Sequence, residues 1–309
     1  IGEGALESNT TANDNVAIGR NALEANTTGT QNSGLGRQAG YKNTTGSQNT
    51  FAGYQSGYNN TTGGENTAFG NLSLFSCTSA SNNTAFGNEA LEKCTGSQNT
   101  AMGHRAGEEL TSGVRNVFIG AYAGDDSSTA NDNTCVGWEA GHTISTGHDN
   151  TLIGVEAGQD ISTGSNLMCL GHDAGRSNSP TGSLTGETHK ICLGNNSIDN
   201  LSCKVSLTVT SDSRDKADVT DFSHGLSWIN ALRPVTFKWD MRSDYSNGIP
   251  DGSKKGSKIN LGFLAQEELE VEKTHGYGNN DDDMLLVTQN ADGNYGMNYE
   301  RLVPILVNA

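Results

Sequence analysis

The chain is poor in most of what a helical globular protein is built from. Of its 309 residues only 4 are proline, 6% are aromatic and 33% are hydrophobic. So little apolar material excludes the broad core of a helix-rich fold. Long apolar runs are missing too. Nowhere do about 18 apolar residues follow one another, so no membrane-spanning helix is expected. Basic charge is scarce, with 19 Lys and Arg against 35 Asp and Glu and a net charge of −16. That balance speaks against a nucleic-acid partner, which requires basic patches. There is no Cys-x-x-Cys pair among the six cysteines, so zinc and redox motifs are absent. No cofactor is expected. Low hydrophobicity with negative charge is also the mark of disorder, and here a strict period argues against it.

What the chain has in abundance is glycine, 40 residues of it, and the glycines keep time. Asn83-Thr84-Ala85-Phe86-Gly87 recurs in related form at Asn66–Gly70, Asn99–Gly103, Asn116–Gly120, Asn133–Gly137 and Asn150–Gly154. Eleven anchoring glycines run from Gly2 to Gly171 at a spacing of 17, with one step of 16 between Gly87 and Gly103. A twelfth, Gly194, follows Gly171 after 23 residues, and Ser179-Pro180-Thr181-Gly182 marks the surface loop inserted there. Fixed-period self-similarity dictates a stacked-repeat architecture, because one short unit cannot bury its own apolar face. A second glycine corner, as at Gly29, Gly46, Gly63, Gly147 and Gly164, predicts a coil that strands, turns, strands and turns again.

Within a unit, Thr67 and Phe69 share one side of a strand and Ala68 takes the other. The large apolar slot before each glycine is expected to fill the coil interior. The small slots, such as Ala68, Ala85, Ser73 and Ala90, are expected to admit close approach of another surface. Asn at one corner of every coil predicts an amide ladder, alongside the simpler role of a left-handed turn residue. Cys135, Cys169 and Cys192 occupy the Ala68 slot and read as small packed side chains. Cys77 and Cys94 stand one repeat apart, as two reduced thiols or a disulfide.

The Asn-x-x-apolar-Gly-x-x-Ala pattern resembles the head repeats of trimeric autotransporter adhesins, and the longer form with Thr-Thr-Gly is similar to repeats of phage tail fibres. The resemblance covers residues 1–194 and implies a mostly β fold, a homotrimeric parallel β-roll or β-helix shaft. Chemistry in this region is thin. Glu108-Glu109 and Asp125-Asp126 are neighbours on turns, where carboxylates face water rather than one another across a substrate. His104, His142, His148 and His172 lack metal-ligand spacing. Tyr54, Tyr122 and Trp138 read as surface packing, with sugar stacking as the functional alternative.

After a connecting segment, 195–210, in which Val205, Leu207 and Val209 alternate as one last strand, the composition becomes that of a small α+β domain, 211–309. Phe222, Leu226, Ile229 and Leu232 predict a helix capped by Thr220 or Asp221 and stopped by Pro234. Strands are expected at Pro234–Trp239 and Ile259–Phe263, a helix at Ala265–Lys273, and a hairpin from Met284–Thr288 and Tyr295–Tyr299 around Ala291-Asp292-Gly293. The acidic loop Asn279–Asp283 lacks the EF-hand spacing for calcium, and no metal site is expected. Glu300–Ala309 opens a helix with Pro304 in an early turn. The chain begins inside a repeat at Ile1-Gly2 and stops within this helix, so it reads as a fragment with the helix cut short.

This domain resembles the intramolecular chaperone domain of phage endosialidase tailspikes, shared with many tail fibres and with a eukaryotic membrane-bound transcription factor family. The residues that carry the likeness are Ser211-Asp212-x-Arg214-x-Lys216, Gly225-Leu226, Leu232-Arg233-Pro234-Val235-x-Phe237, Gly262-Phe263-x-Ala265-Gln266-Glu267 and Tyr299-x-x-Leu302. The resemblance implies a module that trimerises three chains, sets their register and then cuts itself off at Thr210-Ser211. It implies Ser211 as nucleophile and Lys216 as its base. A serine hydroxyl attacks only when a base takes its proton, and a lysine serves only when burial or a neighbouring cation lowers its pKa; Arg214 is the candidate cation. The reading that follows is a phage tail fibre or spike on the virion, a homotrimer joined to upstream tail proteins and bound to a host-surface receptor, a glycan. Its only enzymatic activity would be self-cleavage. The alternatives are a bacterial trimeric surface adhesin and the shaft of a polysaccharide-degrading tailspike whose enzyme lies upstream.

Overall fold

The computed structural model describes residues 1–198, 200–204, 209–289 and 293–309. They form two compact units, Ile1–Ser197 and Ile198–Ala309. The alternation at Val205 and Leu207 and the turn at Ala291-Asp292 lie outside the described residues. Among the described residues no helix is long and apolar enough to cross a membrane.

The first unit is a β-solenoid. Each coil contributes one three-residue strand: β1 to β11 are Val16–Ile18, Ser33–Leu35, Thr50–Ala52, Thr67–Phe69, Thr84–Phe86, Thr100–Met102, Val117–Ile119, Thr134–Val136, Thr151–Ile153, Met168–Leu170 and Ile191–Leu193. They stack in sequence order as one parallel sheet, with equivalent residues facing across every step, as Phe69 faces Phe86. The second leg of the coil, expected as a strand, is a run of turns. Leu72 and Leu74 both take positive φ there, and the same pair of positions repeats the conformation in neighbouring coils. The 16-residue step loses its residue at the second corner, where Cys94 and Gly96 stand two apart and Asn60 and Gly63 three apart. The Thr84–Thr100 register is kept.

Two glycine positions are compelled by geometry. At Gly70 φ is +141°, and a Cβ would stand 2.2 Å from the carbonyl oxygen of Gly87 in the next coil. At Gly46 a Cβ would meet the Gly63 oxygen at 2.3 Å. Coils this close admit no side chain at the Gly70 corner, while the second corner takes nothing larger than the alanines at Ala80 and Ala130 in place of glycine.

The interior corrects the expected orientation of the strand. Ala68, Ala85, Ala101 and Cys135 are fully buried, whereas Phe69, Phe86 and Met102 are about half exposed, at 50%, 51% and 43%. The small slot fills the coil, and the large slot faces outward. The reason is volume. A coil of this length encloses a narrow bore, already shared by the small residue three after each glycine, Ala90 and Ala106 among them. Phenylalanine enters at the strand position where glycine makes room. Phe51 lies between Gly40 and Gly57, and Phe118 between Gly107 and Gly124. Where the strand has Ala68 or Ala85, the facing position carries Leu74 or Leu91, both buried.

Asparagine forms the expected ladder. The backbone N–H of Asn83 donates to Asn66 Oδ1 at 3.0 Å, and Asn83 Oδ1 accepts from the N–H of Asn99 at 2.9 Å. The left-handed role falls to the preceding residue, with φ +62° at Asn82 and +65° at Gln98. A shorter ladder joins Asn26, Asn43 and Asn60 through Nδ2 donors at 2.8 and 2.7 Å. Cys77 and Cys94 continue that column as free buried thiols. Burial pushes their pKa values up, to about 11 and about 12, so both stay protonated at neutral pH.

In the six-residue insertion of the last coil, Leu184 returns to the bore and is fully buried. β11 then rejoins β10, Cys192 facing Cys169.

The second unit has a small core of Trp228, Leu286 and Ile305. Its elements are α1 (Leu226–Ala231), β12 (Val235–Phe237), β13 (Asn260–Gly262), α2 (Ala265–Thr274), β14 (Val287–Gln289), β15 (Tyr295–Met297) and α3 (Leu302–Val307). β12 pairs antiparallel with β13 and β14 with β15. α1 is shorter than the apolar stripe predicts. It starts after Gly225, which supplies no side-chain cap. Its buried anchor is Trp228, while Leu226 is 57% exposed.

Candidate functional site at the head of the second unit

The hexapeptide Ser211–Lys216 folds as a tight turn. Asp212 caps a 3-10 turn, Ser213–Asp215, by accepting a hydrogen bond from the Arg214 N–H at 2.9 Å. The turn reverses the chain, and Lys216 Nζ then donates to Ser211 Oγ at 2.6 Å. The two residues expected as nucleophile and base are thus in contact, and both are exposed. Arg214 lies elsewhere. Its guanidinium forms a two-pronged pair with Asp212, Nε to Oδ1 at 3.0 Å and Nη2 to Oδ2 at 2.6 Å. The pairing holds the Asp212 carboxyl below its usual range and raises the Arg214 pKa. Its charge is compensated there, so Arg214 braces the turn rather than acting as a bare cation beside Lys216. Thr210 precedes the turn in extended, exposed chain.

Behind the turn, residues far apart in sequence meet. Arg233 pairs with Glu267. Tyr299 Oη accepts from the Phe263 N–H at 3.3 Å, and a Cβ on Gly262 would stand 2.6 Å from that oxygen. Asn308 Nδ2, at the end of α3, donates to the carbonyl oxygens of Phe222 and His224, both at 3.1 Å. The motifs around Arg233, Phe263 and Tyr299 are therefore in contact.

Two buried carboxylates of α2 were not legible in the sequence. Glu272, fully buried, accepts the N–H groups of Leu285, Leu286 and Val287, each at 2.8 Å. Glu268 accepts from Trp228 Nε1 at 2.9 Å, and burial raises its pKa. They stand four apart on one helix face, a spacing that in sequence looks like solvated charge.

In the solenoid the acidic neighbours part company. Glu108 pairs with Arg105 and Glu109 with Lys93. The repeat register brings His142 beside Asp125 and Asp126, with Nε2 3.7 Å from one carboxylate and Nδ1 3.5 Å from the other. Each ring nitrogen faces a different acid, and Arg105 stands 3.6 Å from Asp125. One ligand atom from each of Asp125, Asp126 and His142 lies within 4.8 Å of the others, a spacing that could hold a cation, with Arg105 as the competing partner of Asp125. The acidic loop at 279–283 is a capped turn: Asp283 accepts from the Asn280 N–H at 2.9 Å, and Asn280 from the Asp282 N–H at 3.0 Å. Tyr54 and Trp138 are exposed, with Arg37 over the Tyr54 ring at 5.6 Å.

No curated protein and no solved structure matches the chain. A family model does match, beginning at Ser211 itself: residues 211–277, which carry the Ser211–Lys216 contact and the Arg233–Glu267 pair, correspond to the family described as chaperone of endosialidase.

Proposed function

We propose that the protein is a component of a phage tail fibre or tailspike, a homotrimer whose C-terminal unit aligns three chains and then severs itself at Thr210-Ser211. The chaperone segment, placed after a β-solenoid shaft, supports the reading at the level of architecture. The observation that carries the cleavage is the 2.6 Å contact between Lys216 Nζ and Ser211 Oγ at the first residue of the family match.

The chemistry is an N-to-O acyl shift. Ser211 Oγ attacks the Thr210 carbonyl carbon while its proton passes to neutral Lys216 Nζ. The C–N bond then breaks, the amine of Ser211 takes up a proton, and Thr210 is left as an ester on Ser211 Oγ. Water opens that ester to a carboxylate and restores the hydroxyl. In the exposed turn Lys216 Nζ donates to the Ser211 hydroxyl. Burial by neighbouring chains would favour the neutral amine, so assembly would switch the dyad on and restrict cutting to correctly built trimers. A short identical repeat needs such control, because chains can pair one unit out of register at little local cost. On the mature virion the shaft would serve adhesion to a host-surface glycan.

Expression of the full chain tests the reading. Wild type is expected to yield two products divided at Thr210-Ser211, and Ser211→Ala and Lys216→Ala an intact 32.4 kDa chain that still trimerises. An intact wild-type trimer would remove the dyad. Glycan-array binding by the released shaft tests adhesion.

A further inference from the structure

In a solenoid the residues that meet stand one repeat apart, so ligands for a shared ion are spaced by the coil rather than by the turn of a helix. Asp125 is the fifth residue after its anchor, Gly120, and His142 the fifth after Gly137. The two coils are locked at that level, where the Asp126 N–H donates to the His142 carbonyl oxygen at 2.9 Å. Asp125, Asp126 and His142 therefore share one corner of the shaft, and the helical spacing of metal motifs misses them.

Asp125 is the unsatisfied member. Its side chain is 4% exposed, and among the described residues nothing donates a hydrogen bond to its Oδ1. Cations approach Oδ2 only distantly, Arg105 Nη2 at 3.6 Å and His142 Nε2 at 3.7 Å. Those separations exceed the roughly 2.7–3.2 Å of a hydrogen bond. Arg105 is committed elsewhere, its Nε to Glu108 and its guanidinium over the Tyr122 ring at 5.5 Å. A carboxylate buried in this way is costly unless a cation completes it.

The long contacts suit an ion better than a proton. Ligands on a tetrahedral zinc with bonds of about 2.0–2.1 Å stand about 3.3 Å apart, so gaps of 3.5 and 3.7 Å around His142 need only a small closure. Asp126, with a side chain 56% exposed, leaves the way open to solvent and is free to swing inward. Two carboxylates and one imidazole, without a thiolate, form an oxygen-and-nitrogen set for a first-row divalent ion. Calcium, which takes about six to eight oxygens, is poorly served.

We propose that Asp125, Asp126 and His142 bind one divalent transition-metal ion per chain, zinc in the first instance, with water completing its shell and Glu108 holding Arg105 aside. The ion ties the coil of β7 to the coil of β8. Nothing in this depends on cleavage or on the chaperone reading. In chelator the same carboxylate is an uncompensated buried charge, and there Asp125→Asn is the more stable protein above neutral pH.

The test uses the untagged full chain carrying Ser211→Ala, which keeps it whole, and Cys203→Ser, because Cys203 is the exposed thiol and the other five are buried. Zinc titrated calorimetrically into chelator-stripped protein near neutral pH should bind at one per chain. Asp125→Asn and His142→Gln should each weaken binding at least tenfold, while His148→Gln, at the exposed His148–Asp149 pair, should leave it unchanged. Arg105→Gln removes the competing cation and should tighten binding at least threefold, a gain that a misfolded variant cannot give. Calcium in excess should not displace the zinc. No binding at a hundredfold excess of zinc, equal affinity in wild type, Asp125→Asn and His142→Gln, weaker binding in Arg105→Gln, or displacement by calcium overturns the proposal.

Discussion

Single residues in the bore carry more than their size suggests. Asn83 links three coils, receiving at its Oδ1 the N–H of Asn99 and giving its Nδ2 to the Gly96 carbonyl oxygen at 3.0 Å. Asn83→Ala leaves that donor and that acceptor buried without partners, at about 1–3 kcal/mol each. A fall of several degrees or more in the melting temperature of the shaft is expected; an unchanged melt would show that the ladder contributes little. Asp125 is the counterpart, a buried acid whose Oδ1 has no hydrogen-bond partner in the structure. Burial first, and the neighbouring Glu108 and Asp126, push its pKa up to about 6 against the pull of Arg105 and His142. A folded pKa above the unfolded value of 3.8 means that the folded state holds the proton more tightly. Stability at this residue is therefore highest below about pH 4 and declines as pH rises to about 6. Asp125→Asn should raise the melting temperature at pH 8, by the equivalent of roughly 2 kcal/mol, and change it little at pH 3.5. A melt at pH 8 that drops would reverse this account.

At the scale of elements, columns matter more than strands. The column of Asn26, Asn43 and Asn60 ends against Cys77, whose thiol is turned to the Ala80 oxygen at 3.5 Å, and Asn60 Oδ1 is left without a donor. Cys77→Asn would extend the ladder by one rung, placing Nδ2 where Asn60 needs it. A gain of about 1 kcal/mol is expected, read as a higher denaturation midpoint; a loss would mean that the slot no longer fits an amide. The turn at Ser211–Lys216 works by the same economy of local contacts. Asp212 and Arg214 close it, and the closure carries Lys216 onto Ser211. The pairing of Arg214 with Asp212 could not be read from spacing, because Lys216, Asp212 and Asp215 are all within reach of a flexible guanidinium.

For the whole molecule, the proposed function divides the labour of assembly between the two units. The solenoid is held by parallel, non-local contacts, which form slowly and can slip. The C-terminal unit is held by its own small core and can order first. If residues 211–309 are cut away as proposed, the shaft would keep a register that it cannot readily find again. Released 1–210 trimers should therefore melt at high temperature and fail to recover on cooling, whereas uncleaved Ser211→Ala trimers recover most of their signal. Full recovery of the released shaft would show that no register-setting module is needed.

Much of this was present in the sequence. The 17-residue beat compels stacking, since no single coil can bury its apolar residues, and the asparagine and glycine corners follow from the same stacking. The meeting of Ser211 and Lys216 was legible because their motif arrives with four others in order. Which side of each strand faces inward was decided by the tertiary structure. Period-two alternation places Thr67 and Phe69 together but is symmetric between inside and outside. A signal existed: in several coils the positions two before and four after the anchor glycine compensate in volume, Ala68 with Leu74 and Phe51 with Gly57, as residues sharing a bore do. The bore is narrow because a coil of 17 residues encloses little space, so the small slot fills it and Phe69, Phe86 and Met102 stand on the surface. The buried Glu268 and Glu272 likewise needed the fold, because a carboxylate becomes structural only when tertiary packing brings backbone N–H groups or an indole to it.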